Sequence, residues 1–344
     1  MITNVIVGLL LLSPSLYKQN KTMKAAILYA PGTTPTYGDF ADPIVENENH
    51  LLLNVKAAAI KNLDKGIASG HHYSSEAHSE PRTLGMDGVG TLADGTRVYG
   101  FGVTGMIAEK GIIDKRRMVK LPAGLDDATA AALPNAVMGA GAAIHYRAKL
   151  QQGEVVLING ATGVTGMVAV QLAKYYGAKK VIVTGRNAEA LHKLLSLGAD
   201  EIISLKQTDE EIIKQVKELH ASTPIDVVVD YVWGHPAELI LAALQGKGRA
   251  THKVRYVTVG AMAGDKVSLS SGTLRSSDIE ISGSGLGSVN DDDMKRLFTE
   301  MVPEMFQLAA GGKLKIETEI LELKDIETAW DKEIPSGKRL VIAI

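Results

Sequence analysis

The stretch with the most chemical content is Asn159-Gly160-Ala161-Thr162-Gly163-Val164-Thr165-Gly166. An apolar run, Glu154 to Ile158, leads into it, and Val164 to Tyr176 leaves it with helical spacing. Strand, glycine turn and helix N-terminus in that order make an anion site. The first N–H groups of a helix have no partner within it, and the helix dipole adds partial positive charge. A diphosphate is the ligand such a turn takes. Gly163 lets the backbone approach it, and Gly166 lets the helix pack closely on its strand. Ala161 stands where this fingerprint has its first glycine, so the motif reads A-x-G-x-x-G. The strand before it and the helix after it are what lend it weight.

A second signal follows the next strand. Sites for NAD place an Asp or Glu about 20 residues past the fingerprint, bonded to the ribose 2′-OH. Here Gly185 falls nineteen residues after Gly166, and Arg186 and Asn187 follow it. Glu189 is already inside the next helix. A carboxylate would repel a 2′-phosphate, whereas a guanidinium gives it a charge-assisted hydrogen bond worth on the order of 1.5–3 kcal/mol. The expected cofactor is NADPH.

Positioning these residues is the work of an alternating α/β segment. Val155–Asn159, Lys180–Thr184, Glu201–Leu205, Ile225–Val232 and Arg255–Gly260 read as strands, with Ile279–Gly283 as a sixth. Val164–Tyr176, Ala188–Leu197, Asp209–His220 and Pro236–Leu244 read as helices. Strands apolar on both faces belong in a parallel sheet covered by helices, a doubly wound sheet whose ligands bind at the carboxyl ends. Gly160, Gly185 and Gly260 then face one crevice. Before this segment the pattern is short strands broken by Gly, Pro and polar turns: Lys24–Tyr29, His50–Ala59, Gly88–Ala93, Arg97–Phe101 and Gly105–Lys110. That is an antiparallel β domain by pattern. Asp127–Leu133 reads as a helix, and a second runs from after Asn135 to Leu150. In the tail, Asp292–Ala310 is helical despite Pro303, Lys315–Leu321 is a strand, Asp325–Lys332 a short helix and Arg339–Ile344 a strand. This tail is expected to rejoin the first domain.

Composition excludes several classes. At 344 residues the chain is longer than one ordinary core holds, so two domains are expected. A formal net charge of −2 offers no field to steer nucleic acid. There is no cysteine, which removes disulfides, thiol nucleophiles and Cys-ligated metals together. Residues 1–22 read as a leader outside the fold, with the true start at Met23. Its apolar run, Val5–Leu12, is too short to cross a bilayer, and it lacks the basic start and cleavage site of a signal peptide. A cytoplasmic protein without a membrane partner is expected.

These residues carry a family resemblance that covers nearly the whole chain from Met23. Met23-Lys-Ala-Ala, Ala57-Ala-Ala-Ile-Lys-Asn-Leu-Asp64, Leu84-Gly-Met-Asp-Gly-Val-Gly90 and the glycine turn are its first pieces. Thr184-Gly-Arg-Asn187, Leu197-Gly-Ala-Asp200, Asp230-Tyr-Val-Trp-Gly234 and Gly337-Lys-Arg-Leu-Val complete an ordered set. The set resembles the zinc-free quinone oxidoreductase branch of the medium-chain dehydrogenase/reductase superfamily. The resemblance implies a GroES-like β catalytic domain in two segments, 23–140 and 288–344, with a Rossmann NADP(H)-binding domain, 141–287, inserted between them. It also implies a homodimer and hydride transfer from NADPH to a quinone or α,β-unsaturated carbonyl.

Departures from the family are as informative. Its zinc-dependent members carry a Cys where this chain has Lys61, a His where it has Met86, and a third ligand near Asn135; the Ser/Thr of their proton relay becomes Leu63. Those residues cannot build the usual zinc site, so no metal is expected. Lys61 also departs from the zinc-free relatives, which more often have Asn there. The resemblance places Lys61, Asn62, Tyr73 and Asn135 around the reacting centre. Lys61 or Tyr73 is expected to donate to the acceptor oxygen, and Asn62 or Asn135 to fix the nicotinamide or substrate. His71 and His72 read as exposed loop residues. Thr162 and Val164 complete the diphosphate turn. Val259-Gly260-Ala261 and Gly283–Ser288 resemble loops that offer amides to the nicotinamide, with Tyr231 lining the ribose. Two alternatives stay open: an enoyl or alkenal reductase, and a weakly catalytic NADPH-binding regulatory or structural protein.

Overall fold

The computed structural model describes residues 21–72, 75 and 80–344. Chain order begins with β1 (Thr22–Leu28), β2 (Thr36–Ala41), β3 (His50–Ile60), α1 (Asn62–Ala68), β4 (Arg82–Thr83), β5 (Asp87–Thr91), β6 (Arg97–Gly102) and β7 (Lys110–Lys120). Helix α2 (Asp127–Gly141) leads into β8 (Val155–Asn159), α3 (Val164–Tyr175), β9 (Lys180–Gly185), α4 (Ala188–Ser196), β10 (Glu201–Ser204) and α5 (Asp209–Ser222). Then come β11 (Val227–Asp230), α6 (Gly234–Ala243), β12 (Val254–Thr258), α7 (Ser271–Ser276) and β13 (Ile279–Gly283). The chain closes with α8 (Asp291–Arg296), α9 (Val302–Ala310), β14 (Glu317–Glu322), α10 (Ile326–Asp331) and β15 (Lys338–Ala343).

Six of these strands form a parallel sheet in the order β10-β9-β8-β11-β12-β13. Its central strand β8 is buried along its whole length, as an apolar run between two helical layers must be. Full burial of Val156, Leu157 and Ile158 stabilises the sheet by about 1.5–3 kcal/mol per side chain. Strand order reverses between β8 and β11, which opens a crevice beyond their carboxyl ends. The other large sheet runs β14-β15-β3-β5-β6-β7 and closes on itself through a β3–β7 pairing. It is antiparallel except between β14 and β15. A small sheet, β2-β1-β4, completes a barrel-like, GroES-like domain separate from the Rossmann sheet.

Three sequence expectations need correction. Gly105–Lys110 is not a strand: the ladder starts at Lys110 and runs to Lys120. The preceding residues pack on the small sheet instead, and a Cβ on Gly105 would sit 2.2 Å from the Thr83 carbonyl carbon. Helix α2 does not break at Asn135 but passes through Pro134 and continues as a π-helical turn over Ala142–Arg147. It is buried nearly all round against α3, β3 and β15, and that burial offsets the ~3 kcal/mol a mid-helix proline costs. At the N-terminus Thr22, read from sequence as part of the leader, belongs to β1 and pairs with Ala41, and the Lys21 carbonyl accepts from Asp42 N–H at 2.9 Å. The rest of the expected leader, 1–20, lies outside the described residues. Among the described residues, no helix is long and apolar enough to cross a membrane.

Candidate active site

The glycine turn has the geometry its residues imply. Gly160 adopts φ +78°, open to glycine at little cost, and Gly163 is the residue that starts α3. A Cβ on Gly166 would lie 2.5 Å from Ala161 Cα, so only glycine lets α3 come this close. A Cβ on Gly163 would meet nothing within 4 Å. That side of the turn is open, and the free N–H groups at the start of α3 border it. Ala161 is fully buried and its N–H donates to the Thr184 carbonyl at 2.9 Å.

A buried polar chain fixes the three strand ends around this turn. Gly160 N–H donates to Thr184 Oγ1 (3.0 Å), whose hydroxyl donates to Asn159 Oδ1 (2.6 Å). Asn159 Nδ2 donates to Asp230 Oδ1 (3.1 Å), which also accepts from Val232 and Trp233 N–H. Tyr256 Oη donates to the other Asp230 oxygen. Burial pushes the Asp230 carboxyl above its usual range, against the pull of these donors. Asn159 and Asp230 are thus structural pins across the switch point, a role that spacing alone does not reveal.

At the second strand end, Gly185 leaves no room for a side chain: a Cβ would lie 2.4 Å from Thr162 Cγ2. Asn187 caps α4, accepting from Ala190 N–H at 3.0 Å. Arg186 is exposed and has no hydrogen bond or ion pair among the described residues. Lys206 escaped sequence reasoning. It is exposed beside this spot, because Leu205 N–H donates to the Gly185 carbonyl at 2.8 Å. Only knowing that β9 and β10 are neighbours would have found it.

On the other side of the crevice stand Tyr231, Gly260 and Ala261. The Tyr231 hydroxyl is buried without a partner, and burial pushes its pKa up. Gly260 packs on the Tyr231 backbone, where a Cβ would come within 2.7 Å of the carbonyl oxygen. Asn62 reaches across from the catalytic domain, its Nδ2 3.6 Å from Met262 Sδ. Asn135 is half-buried in α2, and its side chain makes no hydrogen bond to a described residue. Tyr73 lies outside the described residues. His71 is exposed, its Nδ1 3.2 Å from Ser69 Oγ.

Lys61 sits in a buried ion cluster. Its ammonium is buried, paired with Asp87, 3.1 Å from Asp64 Oδ2 and donating to the Ala59 carbonyl at 3.0 Å. Two of its protons are held in hydrogen bonds, to Ala59 and Asp87, and Asp64 faces the ammonium from a third side, so the charge is engaged inside the domain. Burial pulls its pKa down, but Asp64 and Asp87 outweigh it and hold it above the ordinary lysine value. Asp64 also accepts from the N–H groups of Lys61 and Met86, and Asp87 accepts from the Tyr99 hydroxyl at 2.8 Å.

The cation with donors to spare is Arg339. Leu340 pairs with Ile60, which sets Arg339 beside Lys61, on the β15 face that points at the Rossmann domain. The residue is only 8% exposed, its side chain makes no hydrogen bond to a described residue, and its Nε is wholly buried. Burial lowers its pKa, opposed by Asp64 and Asp87. The loop that leads into this strand rests on the glycine turn, where Ser336 Oγ donates to the Thr162 carbonyl at 2.8 Å. Open space at Gly163 and two buried polar groups without partners, one from each domain, fit a dinucleotide laid across the crevice.

Comparison with known proteins agrees with this geometry. A family model described as zinc-binding dehydrogenase matches residues 164–306, a segment without Lys61, Met86 or Asn135. The mitochondrial enoyl-[acyl-carrier-protein] reductase of Arabidopsis thaliana is 31% identical over 189 residues, 54% of this chain; the match spans about half (48%) of that protein's length. The probable NADPH-dependent quinone reductase tdiC of Emericella nidulans is 27% identical over 90% of this chain and 96% of its own. Among solved structures, a putative NADPH:quinone reductase from Bacillus thuringiensis superposes with a TM-score of 0.81 at 19% identity. It covers 94% of this chain and 99% of that one, a likeness of fold.

Proposed function

We propose that this chain, which belongs to the medium-chain dehydrogenase/reductase superfamily and to its quinone oxidoreductase-like branch, is an NADPH-dependent reductase of quinones or α,β-unsaturated carbonyls that works without a catalytic zinc. One observation carries the reading: α3 starts on an open, glycine-lined turn, and the next strand end offers the unpaired Arg186 where a carboxylate would select NADH. Gly160, Ala161, Thr162, Gly163 and Val164 hold the diphosphate, and Gly185, Arg186 and Asn187 the 2′-phosphate. Tyr231, Gly260 and Ala261 border the nicotinamide half. When bound, NADPH supplies the hydride.

The protein's part is to position the acceptor and to stabilise charge growing on its oxygen. Lys61 leaves that role. Arg339 takes it, with Tyr73 as a second donor, while Asn62 and Asn135 orient the ring or the acceptor. The alkenal and enoyl reading stays within the same chemistry, because an activated C=C accepts hydride as a quinone does. Homodimer formation and a cytoplasmic location belong to the same proposal.

NADPH oxidation followed against a panel of quinones, alkenals and enoyl thioesters tests the activity, and no oxidation with any of them would refute it. Arg186→Ala is expected to lower the NADPH-over-NADH preference by about ten- to hundredfold, the effect of one charge-assisted bond of roughly 1.5–3 kcal/mol. Dissociation constants for the two cofactors check it, and an unchanged ratio would take Arg186 out of the site.

A further inference from the structure

Beside the Lys61 cluster lies a groove of about 690 Å³ whose lining is apolar but whose charge is positive. Phe40, Ile67, Leu84, Met86, Phe101 and Met294 form its body. Arg82 and Arg117 stand in its walls, and neither has a carboxylate partner among the described residues. Arg117 is stacked over the Phe101 ring, 5.4 Å from its centroid, and Phe101 is itself braced edge-on by Phe298 at 6.4 Å. The one carboxylate in the lining, Asp64, is already spent on the Lys61 ammonium and on two backbone N–H groups. Most other arginines outside the cofactor crevice are neutralised: Arg97 by Asp127, Arg116 by Asp114, Arg255 by Glu154 and Arg296 by Glu300. Two guanidiniums that make no ion pair with a carboxylate among the described residues, Arg117 feeling Asp114 only at a distance, face one apolar groove that reaches Asp64 and Met86 beside the Lys61 cluster, and they have a ligand class in common.

We propose that the groove selects acceptors with an apolar body and a separate anionic group, carboxylate or phosphate, which Arg82 and Arg117 hold while the reducible double bond sits at the Met86 end. This rests on the reductase reading and sharpens it from any quinone or enone to charged ones. The guanidiniums receive the anion through charge-assisted, potentially bidentate bonds, and the aromatic and methionine side chains cover the body.

The test uses a matched series: one α,β-unsaturated ketone carrying a remote carboxylate, its phosphate analogue and its neutral methyl ester. Turnover with NADPH and calorimetric binding to the NADPH-loaded protein are both read. At low salt the carboxylate or the phosphate is expected to exceed the ester at least tenfold in kcat/KM and in affinity. Arg82→Gln and Arg117→Gln each cut that preference about fivefold, and the double variant brings it near one. Arg249→Gln, an exposed cation at the opposite end of the parallel sheet, controls for net charge and keeps the preference. An ester turned over as well as both anions, or a preference that survives the double variant, overturns the inference. Arginine-dependent binding of an anion without any turnover would uphold the groove and refute the reductase reading instead.

Discussion

Gly163→Ala is expected to weaken NADPH binding at least a hundredfold without changing thermal stability, whereas Gly166→Val loses both. The contrast follows from where each missing side chain points. At Gly163 φ is −79° and a Cβ meets nothing within 4 Å, so alanine folds there without strain. The methyl group instead takes the space through which a diphosphate must come to reach the first amides of α3. At Gly166 the new Cβ lies 2.5, 2.6 and 2.7 Å from Ala161 Cα, O and C, all backbone atoms of a fully buried residue. The turn cannot yield without dragging Ala161 off the Thr184 carbonyl and the strand ends off their polar chain. A fluorescence titration with NADPH, paired with a thermal melt of each variant, reads the two effects apart. Normal NADPH affinity in a folded Gly163→Ala protein would mean that the dinucleotide does not lie on this turn.

The difference between those two glycines was legible in the sequence, because the fingerprint assigns one to the ligand and one to packing. The apolar runs that became β8 to β13 were legible for a similar reason. A strand buried on both faces has to be apolar throughout, and its boundaries show as glycine and polar residues. What could not be read depends on contacts between distant segments. The sequence reads as two helices, one ending at Leu133 and one starting after Asn135, because local propensity knows nothing of the α3, β3 and β15 surfaces that bury α2 as one helix. Lys61 looked like a free donor because its partners, Asp87 on β5 and the Ala59 carbonyl, come together only when the barrel closes. Arg339, far away in the chain, carried no motif signal at all. One cross-strand pair, Leu340 with Ile60, brings it beside Lys61. Long-range pairing thus gives Lys61 two carboxylate neighbours and leaves the Arg339 side chain without a hydrogen bond to a described residue, neither of which a local motif reports.

The buried contacts of Lys61 tie it to stability, and its removal is expected to be among the costliest single changes in the catalytic domain. Lys61→Met keeps the length and the apolar stem but deletes the ammonium. Asp64 and Asp87, both at most 3% exposed, then keep only neutral donors and the neighbouring guanidinium of Arg339, which forms no ion pair with either. Breaking a buried pair from one side costs about 3–5 kcal/mol, because the remaining charge is stranded out of water. Against a total stability of about 5–15 kcal/mol this is a large fraction. Adding Asp87→Asn to Lys61→Met removes the stranded charge and should recover part of the loss, about 1–3 kcal/mol. The dependence on pH has a definite sign. Asp64 and Asp87 raise the folded-state pKa of Lys61 above its unfolded value near ~10.4, so its contribution is complete below that pH. It is lost only as pH rises through the still higher folded value. Urea unfolding of wild type, single and double variants should therefore show a constant gap across neutral pH that closes in strong alkali. A single variant within about 1 kcal/mol of wild type at pH 7 would contradict the ion cluster, and the donor role would return to Lys61.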